Sequence, residues 1–224
     1  MRAKPPALAM LPYRKPQLGR DYWLKDGAIP NAAEVSARSY ARTDWNLGLP
    51  YKNETWPGMR ASNALAHAEL GLLEKWVKET TRAARLSQVE TPEGARLDHN
   101  HLQLVAEGDS GPRPHTDSRR LCTYAAVLFL TPNPDEGAGT SFYRLRLPDG
   151  RLGGNTCPAP YATLREALPV TSLPLAAWKE DVAVPNVFNR LLLYRSDLVH
   201  SATRYFGRVH ADKRLTAVFF WNVG

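Results

Sequence analysis

A histidine and an aspartate stand two positions apart in this chain, and a second histidine follows much later. The pair is His115-Thr116-Asp117, and the later residue is His200. Residues i and i+2 of a β-strand point to the same face, so the pair predicts an imidazole and a carboxylate aimed at one point. Two protein ligands alone hold a transition metal poorly. We therefore expect His200, on a distant strand, to supply a third ligand.

Two histidines and one carboxylate on one triangular face leave the opposite face of an ion open, which is the ligand set of non-haem Fe(II) sites. The alternative is that His115 caps a loop, Asp117 is solvated and His200 is a core histidine. His99 and His101 also share a strand face, but no carboxylate follows them in the right order. The better metal prediction is therefore His115, Asp117 and His200.

Composition favours a globular protein of one domain. The chain has 224 residues, of which 43% are hydrophobic and 23% are charged, so it can bury a sizeable core. The two cysteines, Cys122 and Cys157, form neither a zinc motif nor a disulfide framework and predict a reducing, cytoplasmic setting. Three prolines interrupt residues 1–12, which lack the apolar stretch of a signal peptide. No run is long enough to cross a membrane.

The formal net charge of +7 favours anionic partners. The lysines and arginines are scattered along the chain, so the sequence does not predict a nucleic-acid surface. Arg113 and Arg119 flank the His115 motif and could meet an anionic substrate. The alternative is that both are simply exposed.

Helical patterns come early in the chain. Residues 1–30 predict an extended arm with a strand near Tyr22, and Asn31 with Glu34 predicts a capping box for a helix ending near residue 42. Ser62 is the predicted N-cap of the main helix, about residues 62–85. Apolar residues recur at helical spacing along that helix, namely Leu65, Ala68, Leu72, Leu73, Trp76 and Val77.

Strand patterns follow from residue 96 onward. We predict strands over 96–105, 121–130, 139–144, 189–194 and 213–222, separated by turn residues. In the last of these, one face carries Arg214, Thr216, Val218 and Phe220.

Residues 145–185 are rich in glycine and proline, with a short helix over about 162–168. A connection this long predicts a functional lid. Early helices and late short strands predict an α+β, mainly β jelly roll with flanking N-terminal helices. Residues 1–95 would be the arm and supporting helices of this single domain, and 96–224 its jelly-roll core.

Taken together, these motifs resemble the Fe(II)/2-oxoglutarate-dependent dioxygenases. The resemblance covers about the C-terminal half: His115-Thr116-Asp117 before an apolar strand, Gly139-Thr140-Ser141-Phe142 after it, His200, and Arg214-Leu215-Thr216 opening the final strand. It implies a double-stranded β-helix, a variant of the jelly roll. It also implies Fe(II) at His115, Asp117 and His200, with 2-oxoglutarate and O₂ at the remaining positions.

The resemblance further implies an arginine that binds the far carboxylate of 2-oxoglutarate. Arg214 matches the family's R-x-S pattern, and a guanidinium makes two parallel bonds to a carboxylate. Thr216 stands where serine is usual and keeps the hydroxyl. The separation from His200 is longer than usual, which leaves Arg204 and Arg208 as rivals. The strand face favours Arg214, because both rivals fall in a predicted loop.

Two further side chains are candidates for the pocket. Tyr124 follows the motif and could contact 2-oxoglutarate, although an ordinary core tyrosine explains it equally well. Gln103 is polar within an apolar strand and could face the substrate; the alternative is the exposed face of that strand. Asp117 itself argues against halogenation, since related halogenases carry a small residue there.

The resemblance implies hydroxylation of an unactivated C–H bond, coupled to conversion of 2-oxoglutarate into succinate and CO₂. The modest length favours a small-molecule substrate, such as an amino acid or a natural-product intermediate. One alternative is a peptide or protein side chain as substrate. Another is a non-catalytic jelly-roll module that binds a ligand on the same concave face. No oligomeric state is predicted.

Overall fold

The computed structural model describes residues 11–90, 99–168 and 173–224. Three predicted segments lie partly outside the described residues: the N-terminal arm at residues 1–10, a strand at residues 96–98 and the lid at residues 169–172. The elements, in chain order, are β1 (Tyr22–Lys25), α1 (Ala32–Tyr40), β2 (Asn46–Leu47), β3 (Met59–Ser62), α2 (His67–Thr81), β4 (Leu86–Ser87), β5 (His101–Val105), β6 (Tyr124–Phe129), β7 (Thr140–Leu145), α3 (Leu164–Ala167), β8 (Trp178–Val184), β9 (Leu191–Arg195), β10 (His200–Ala202) and β11 (Arg214–Val223).

The larger sheet is antiparallel and runs in the order β1-β9-β6-β11-β5-β3-β2, with β4 paired to the end of β11. One face of β11 is fully buried through Leu215, Ala217, Phe219 and Trp221. These side chains join a core cluster with residues of both long helices. The helices therefore cover one face of this sheet and leave the other face free to build a cavity.

The smaller sheet is also antiparallel, in the order β10-β7-β8. Phe142 of β7 and Val184 of β8 share a buried cluster with Phe129 of β6 and Leu192 of β9. The two sheets therefore face each other over part of their area, and their open end forms the cavity described below. The coarse prediction of a mainly antiparallel β protein with early helices is confirmed.

The longest strand that the sequence analysis missed is β8. Residues 178–184, which we predicted to be irregular lid, form β8 at the edge of the smaller sheet. The burial pattern explains the error: Trp178 and Val184 are buried, whereas the charged Lys179 and Glu180 between them are exposed. Charges are common on edge strands because they discourage pairing with another chain. Here the two charged residues interrupt the alternation of apolar and polar residues by which a strand is recognised in a sequence.

The predicted cap of α2 was wrong, whereas Asn31 is the N-cap residue of α1 as predicted but forms no capping box. Ser62 ends β3, and α2 begins later at His67. Asn31 forms no cap bond to its own helix and instead donates to Glu69 Oε1 at 2.7 Å. Glu69 also accepts from the Ala66 amide at 2.8 Å and from Arg38 Nη1 at 2.8 Å. The Glu69 carboxylate therefore caps the first turn of α2 and also bonds to side chains at both ends of α1.

Glu69 gives the stability of this fold a pH dependence. Its bonds with Arg38 hold the pKa of the carboxyl down at about 2, below the unfolded value of 4.5. The stabilisation is complete above the unfolded pKa and is lost as pH falls toward the folded one. We expect the free energy of unfolding at pH 7 to be about 2 kcal/mol larger for wild type than for Glu69→Gln. The difference is smaller than the pKa shift alone would give, because Arg38 is 44% exposed and solvent screens the ion pair. Urea unfolding from pH 6 to pH 2.5 should show that difference shrinking; a constant difference would contradict it.

Candidate functional site

The structure brings His115, Asp117 and His200 together. Their ligand atoms all lie within 4.8 Å of one another. Asp117 Oδ2 is 3.5 Å from His200 Nε2, and Asp117 Oδ1 is 4.0 Å from His115 Nε2. These separations allow one ion to contact all three side chains.

Backbone pairing fixes the two histidines side by side. The His115 amide donates to the His200 carbonyl at 3.0 Å, and the His200 amide donates back at 2.8 Å. This bridge adds the His115 segment to the edge of the smaller sheet beside β10. The two imidazole centroids are 4.5 Å apart. Residues far apart in the sequence thus become neighbours through the sheet.

Each imidazole is oriented with Nε2 toward the common point. His115 Nδ1–H donates to the Arg113 carbonyl at 2.7 Å, and His200 Nδ1–H donates to the Leu198 carbonyl at 2.9 Å. A bond of this kind at one ring nitrogen fixes the tautomer and leaves the other nitrogen with its lone pair. Burial lowers the pKa of His200 to about 4. His200 is therefore neutral, as a metal ligand must be.

One side-chain oxygen of Asp117 is unsatisfied. This atom, Oδ2, is buried and has no hydrogen-bond partner. A buried carboxylate oxygen left unpaired is costly, so an oxygen in this position needs a ligand. A divalent ion beside the two Nε2 atoms would meet that need, and the three residues therefore fit a metal.

Arg214 lies deeper in the same cavity. It is 3% exposed. It donates hydrogen bonds to the backbone carbonyls of Ala138 at 2.8 Å and Gly139 at 3.2 Å. No described carboxylate accepts a hydrogen bond from it. Gly139 fits closely here, since a Cβ would lie 1.8 Å from the Val184 carbonyl oxygen. Thr216 is two residues along the same strand face, and its hydroxyl is buried without a partner. Guanidinium and hydroxyl together suit an incoming carboxylate.

The two rival arginines lie elsewhere. Arg204 pairs with Asp135 at 2.7 Å, and Arg208 pairs with Glu107 at 2.9 Å. Both are exposed, and neither lines the cavity. Arg214 is thus the candidate that the structure places beside the His115 group.

Two of the predicted pocket residues face away from it. Tyr124 shares its strand face with the core residues Ala126 and Leu128, and its ring lies edge-on to Trp23 at 5.7 Å. The prediction that Tyr124 contacts the co-substrate was therefore wrong, and the core alternative holds. Arg119 donates to Asp197 at 3.1 Å outside the cavity, so its predicted substrate role was also wrong.

Gln103 and Arg113 do line the cavity. Gln103 lies on the cavity face of β5, where its side chain donates to the Pro57 carbonyl at 3.4 Å. Arg113 lies at the opening and donates through Nη1 to the Thr55 carbonyl at 3.0 Å. The cavity as a whole measures about 670 Å³, which is within the range of small-molecule sites.

The sequence analysis missed two tyrosines. Tyr194 is buried and its hydroxyl lies 3.0 Å from His200 Nε2. Tyr205 also lines the cavity, with its ring 5.7 Å from the Arg214 guanidinium. Tyr194 falls in the apolar run of β9 and Tyr205 in a polar loop. Neither position carries a pattern that distinguishes it from an ordinary tyrosine.

Comparison with known proteins places the chain in a family and a fold class. Crystal structures of two proteins share its fold. HygX from Streptomyces hygroscopicus, solved with nickel, 2-oxoglutarate and hygromycin B bound, is 17% identical with a TM-score of 0.54, over 90% of this chain and 82% of that one. SnoK, a non-haem α-ketoglutarate-dependent carbocyclase from nogalamycin biosynthesis, is 13% identical with a TM-score of 0.52, over 90% and 79%.

The chain therefore shares its fold with HygX, solved with 2-oxoglutarate bound, and with the α-ketoglutarate-dependent SnoK, in agreement with the resemblance in the sequence motifs. Residues 22–220 match the model of a family of unknown function, DUF6445, and the chain belongs to that family. A search of curated proteins finds no match. Among the described residues, no helix is long and apolar enough to span a membrane.

Proposed function

We propose that this protein is an Fe(II)- and 2-oxoglutarate-dependent oxygenase that acts on a small molecule. The observation that carries the proposal is the unpaired, buried oxygen of Asp117 beside two correctly oriented histidines. Arg214 adds support because it is a buried cation in the same cavity, without a described carboxylate. A fold shared with such enzymes makes both features expected.

His115, Asp117 and His200 would hold the iron. When bound, Fe(II) with 2-oxoglutarate supplies an oxidant strong enough to attack a C–H bond. His115 is 55% exposed, whereas His200 is 5% exposed. The His115 side of the site therefore opens to the cavity, and a substrate would approach from there. Retention of the Asp117 carboxylate favours oxygen transfer over halogenation.

Arg214 and Thr216 would bind the far carboxylate of 2-oxoglutarate. Burial lowers the pKa of the Arg214 guanidinium, but an arginine stays charged in proteins. An incoming carboxylate would therefore remove an uncompensated buried charge. Thr216 would donate its free hydroxyl to the same group. The two facing antiparallel sheets would then form the double-stranded β-helix of this enzyme class.

The reaction we propose is hydroxylation of an unactivated C–H bond. A small molecule, such as an amino acid or a natural-product intermediate, suits a cavity of about 670 Å³. The competing class is a binding module without turnover. Protein reconstituted with Fe(II) should consume O₂ and form succinate only when 2-oxoglutarate is present. Iron binding without succinate under any tested substrate would favour the binding module.

Tyr194 gives a more specific test. Its hydroxyl occupies the Nε2 lone pair of His200 at 3.0 Å. Iron at that nitrogen would release the hydroxyl, and Asp117, whose Oδ2 lies 3.5 Å from the same nitrogen, is the nearby acceptor. We expect Tyr194→Phe to weaken Fe(II) affinity about tenfold, because partners of metal ligands typically contribute 10–100-fold.

The matched control is Tyr124→Phe, which removes a hydroxyl on the far face of the same sheet. Its Fe(II) affinity should equal that of wild type. Anaerobic competition with a coloured chelator measures both variants without any turnover. Equal affinities for all three proteins would contradict a role for Tyr194 in holding the iron ligands.

A further inference from the structure

Charge is distributed unevenly over the cavity wall. Four arginines line it, Arg60, Arg113, Arg165 and Arg214, whereas Asp117 is the one carboxylate among the described lining residues. If the proposed function holds, Asp117 is used by iron and Arg214 by 2-oxoglutarate. The other charged side chains among the described lining residues are all arginines.

Two of these arginines are held by one short segment, residues 55–57. Arg113 donates to the Thr55 carbonyl at 3.0 Å. The Arg60 guanidinium lies 4.9 Å from the centre of the Trp56 ring. Cation–π contact and hydrogen bonding restrict both side chains before any ligand arrives. The segment therefore presents two positioned guanidinium groups at the same side of the cavity.

This pair is separate from the Arg214 subsite. Arg60 is in register with Gln103, and Gln103 is in register with Thr216. Adjacent strands lie about 4.8 Å apart, so Arg60 stands about 10 Å from Thr216 across the sheet. One small dicarboxylate bound at Arg214 and at iron leaves the Arg60 side uncovered.

Tyr205 lies between the two subsites. It is half-buried, and this burial raises the pKa of its hydroxyl, while Arg214, Arg113 and Arg60 act in the opposite direction. All three guanidinium groups are thus close enough to act on one phenol. Arginines therefore line both the inner end of the cavity, at Arg214, and its opening, at Arg113.

The opposite wall is apolar. It is formed around α3 and the start of β8 by Leu164, Leu168, Leu173, Leu175 and Trp178. Arg165, which is exposed, lies on the same helix at the opening. Neither Arg113 nor Arg165 forms an ion pair with a described carboxylate, whereas the exposed Arg120 pairs with Glu166. Two guanidinium groups at the opening are therefore available to an anion.

We propose that the substrate is an organic anion with an apolar body. A carboxylate or phosphate would bind at the opening, where Arg113 and Arg165 lie, and the apolar part would lie on the apolar wall beside Trp178. The carbon to be oxidised would then lie near His115, which is exposed to the cavity. This inference rests on the proposed function and adds the chemical class of the substrate.

Four matched probes test the inference: 4-phenylbutyrate, 4-phenylbutyl phosphate, 4-phenylbutanol and 4-phenylbutylamine. Calorimetric titration uses anaerobic protein loaded with Fe(II) and 2-oxoglutarate. We expect at least one anion to bind about tenfold tighter than the alcohol, and the amine to bind more weakly than the alcohol. The tighter anion identifies carboxylate or phosphate as the recognised group. Equal affinity of alcohol and anions, or no binding of any probe, would overturn the inference.

Arg113→Gln should weaken the preferred anion about tenfold and leave the alcohol unchanged. The backbone carbonyl that orients His115 is retained in this variant. Arg151→Gln, which alters an exposed arginine outside the cavity, is the matched control and should change neither. Unchanged anion affinity in both Arg113→Gln and Arg165→Gln would overturn the inference. The loaded state is verified first by its visible charge-transfer band, so failure of the proposed function is seen separately as absence of that band.

Discussion

His200→Ala is expected to abolish 2-oxoglutarate turnover and to weaken Fe(II) binding by about 100-fold or more. Loss of a direct ligand should exceed the 10–100-fold effect of altering a ligand's partner. The substitution removes the Nε2 atom that lies 3.5 Å from Asp117. Succinate formation measures the turnover, and anaerobic chelator competition measures the iron affinity.

His67→Ala is the matched control, because His67 is an exposed histidine at the start of α2. It should retain wild-type turnover and iron affinity. Since His200 is buried, His200→Gln is a second variant that keeps most of the volume and tests for loss of folding. Full turnover in a folded His200 variant would contradict the assignment of His200 as a metal ligand.

Arg214→Ala should raise the KM for 2-oxoglutarate by about 100-fold. Hydrogen bonds to charged groups contribute about 1.5–3 kcal/mol each, and a guanidinium makes two of them with a carboxylate. Arg214→Lys keeps the charge but loses the planar fork, so its KM should fall between those of wild type and Arg214→Ala. Steady-state kinetics with 2-oxoglutarate as the varied substrate measures the effect.

The rival arginines supply the controls for this prediction. Arg204→Ala and Arg208→Ala remove exposed guanidinium groups outside the cavity, and each should leave the KM within about twofold of wild type, as expected for surface charges. A wild-type KM in Arg214→Ala together with a raised KM in either rival would move the carboxylate subsite to that arginine.

Local sequence patterns predicted much of this site. The two-residue period of β11 placed Arg214 and Thr216 on one face and Trp221 on the other, as the structure has them. The same period predicted that the side chains of His115 and Asp117 converge, and they do, although only His115 forms a β-bridge there. Both cases succeed because side-chain direction in a strand depends on nearest neighbours along the chain.

Features that depend on distant parts of the chain were not predictable in this way. Tyr194 of β9 and His200 of β10 belong to different sheets, so the 3.0 Å contact between them depends on how those sheets face each other. The two alternatives for Tyr124 could not be separated, because its strand is apolar on both sides and no alternation marks the cavity side. The cap of α2 came from Glu69 and its contacts with α1, where tertiary contact replaced the local capping pattern.

The central claim is that iron and 2-oxoglutarate bind together at His115, Asp117 and His200. The most direct test is anaerobic addition of Fe(II) and then 2-oxoglutarate to the metal-free protein, followed by visible absorbance. We predict a charge-transfer band that requires both additions and is absent from His200→Ala. Iron binding without a band would contradict the 2-oxoglutarate assignment. Failure to bind iron at all would contradict the metal centre and favour the binding module.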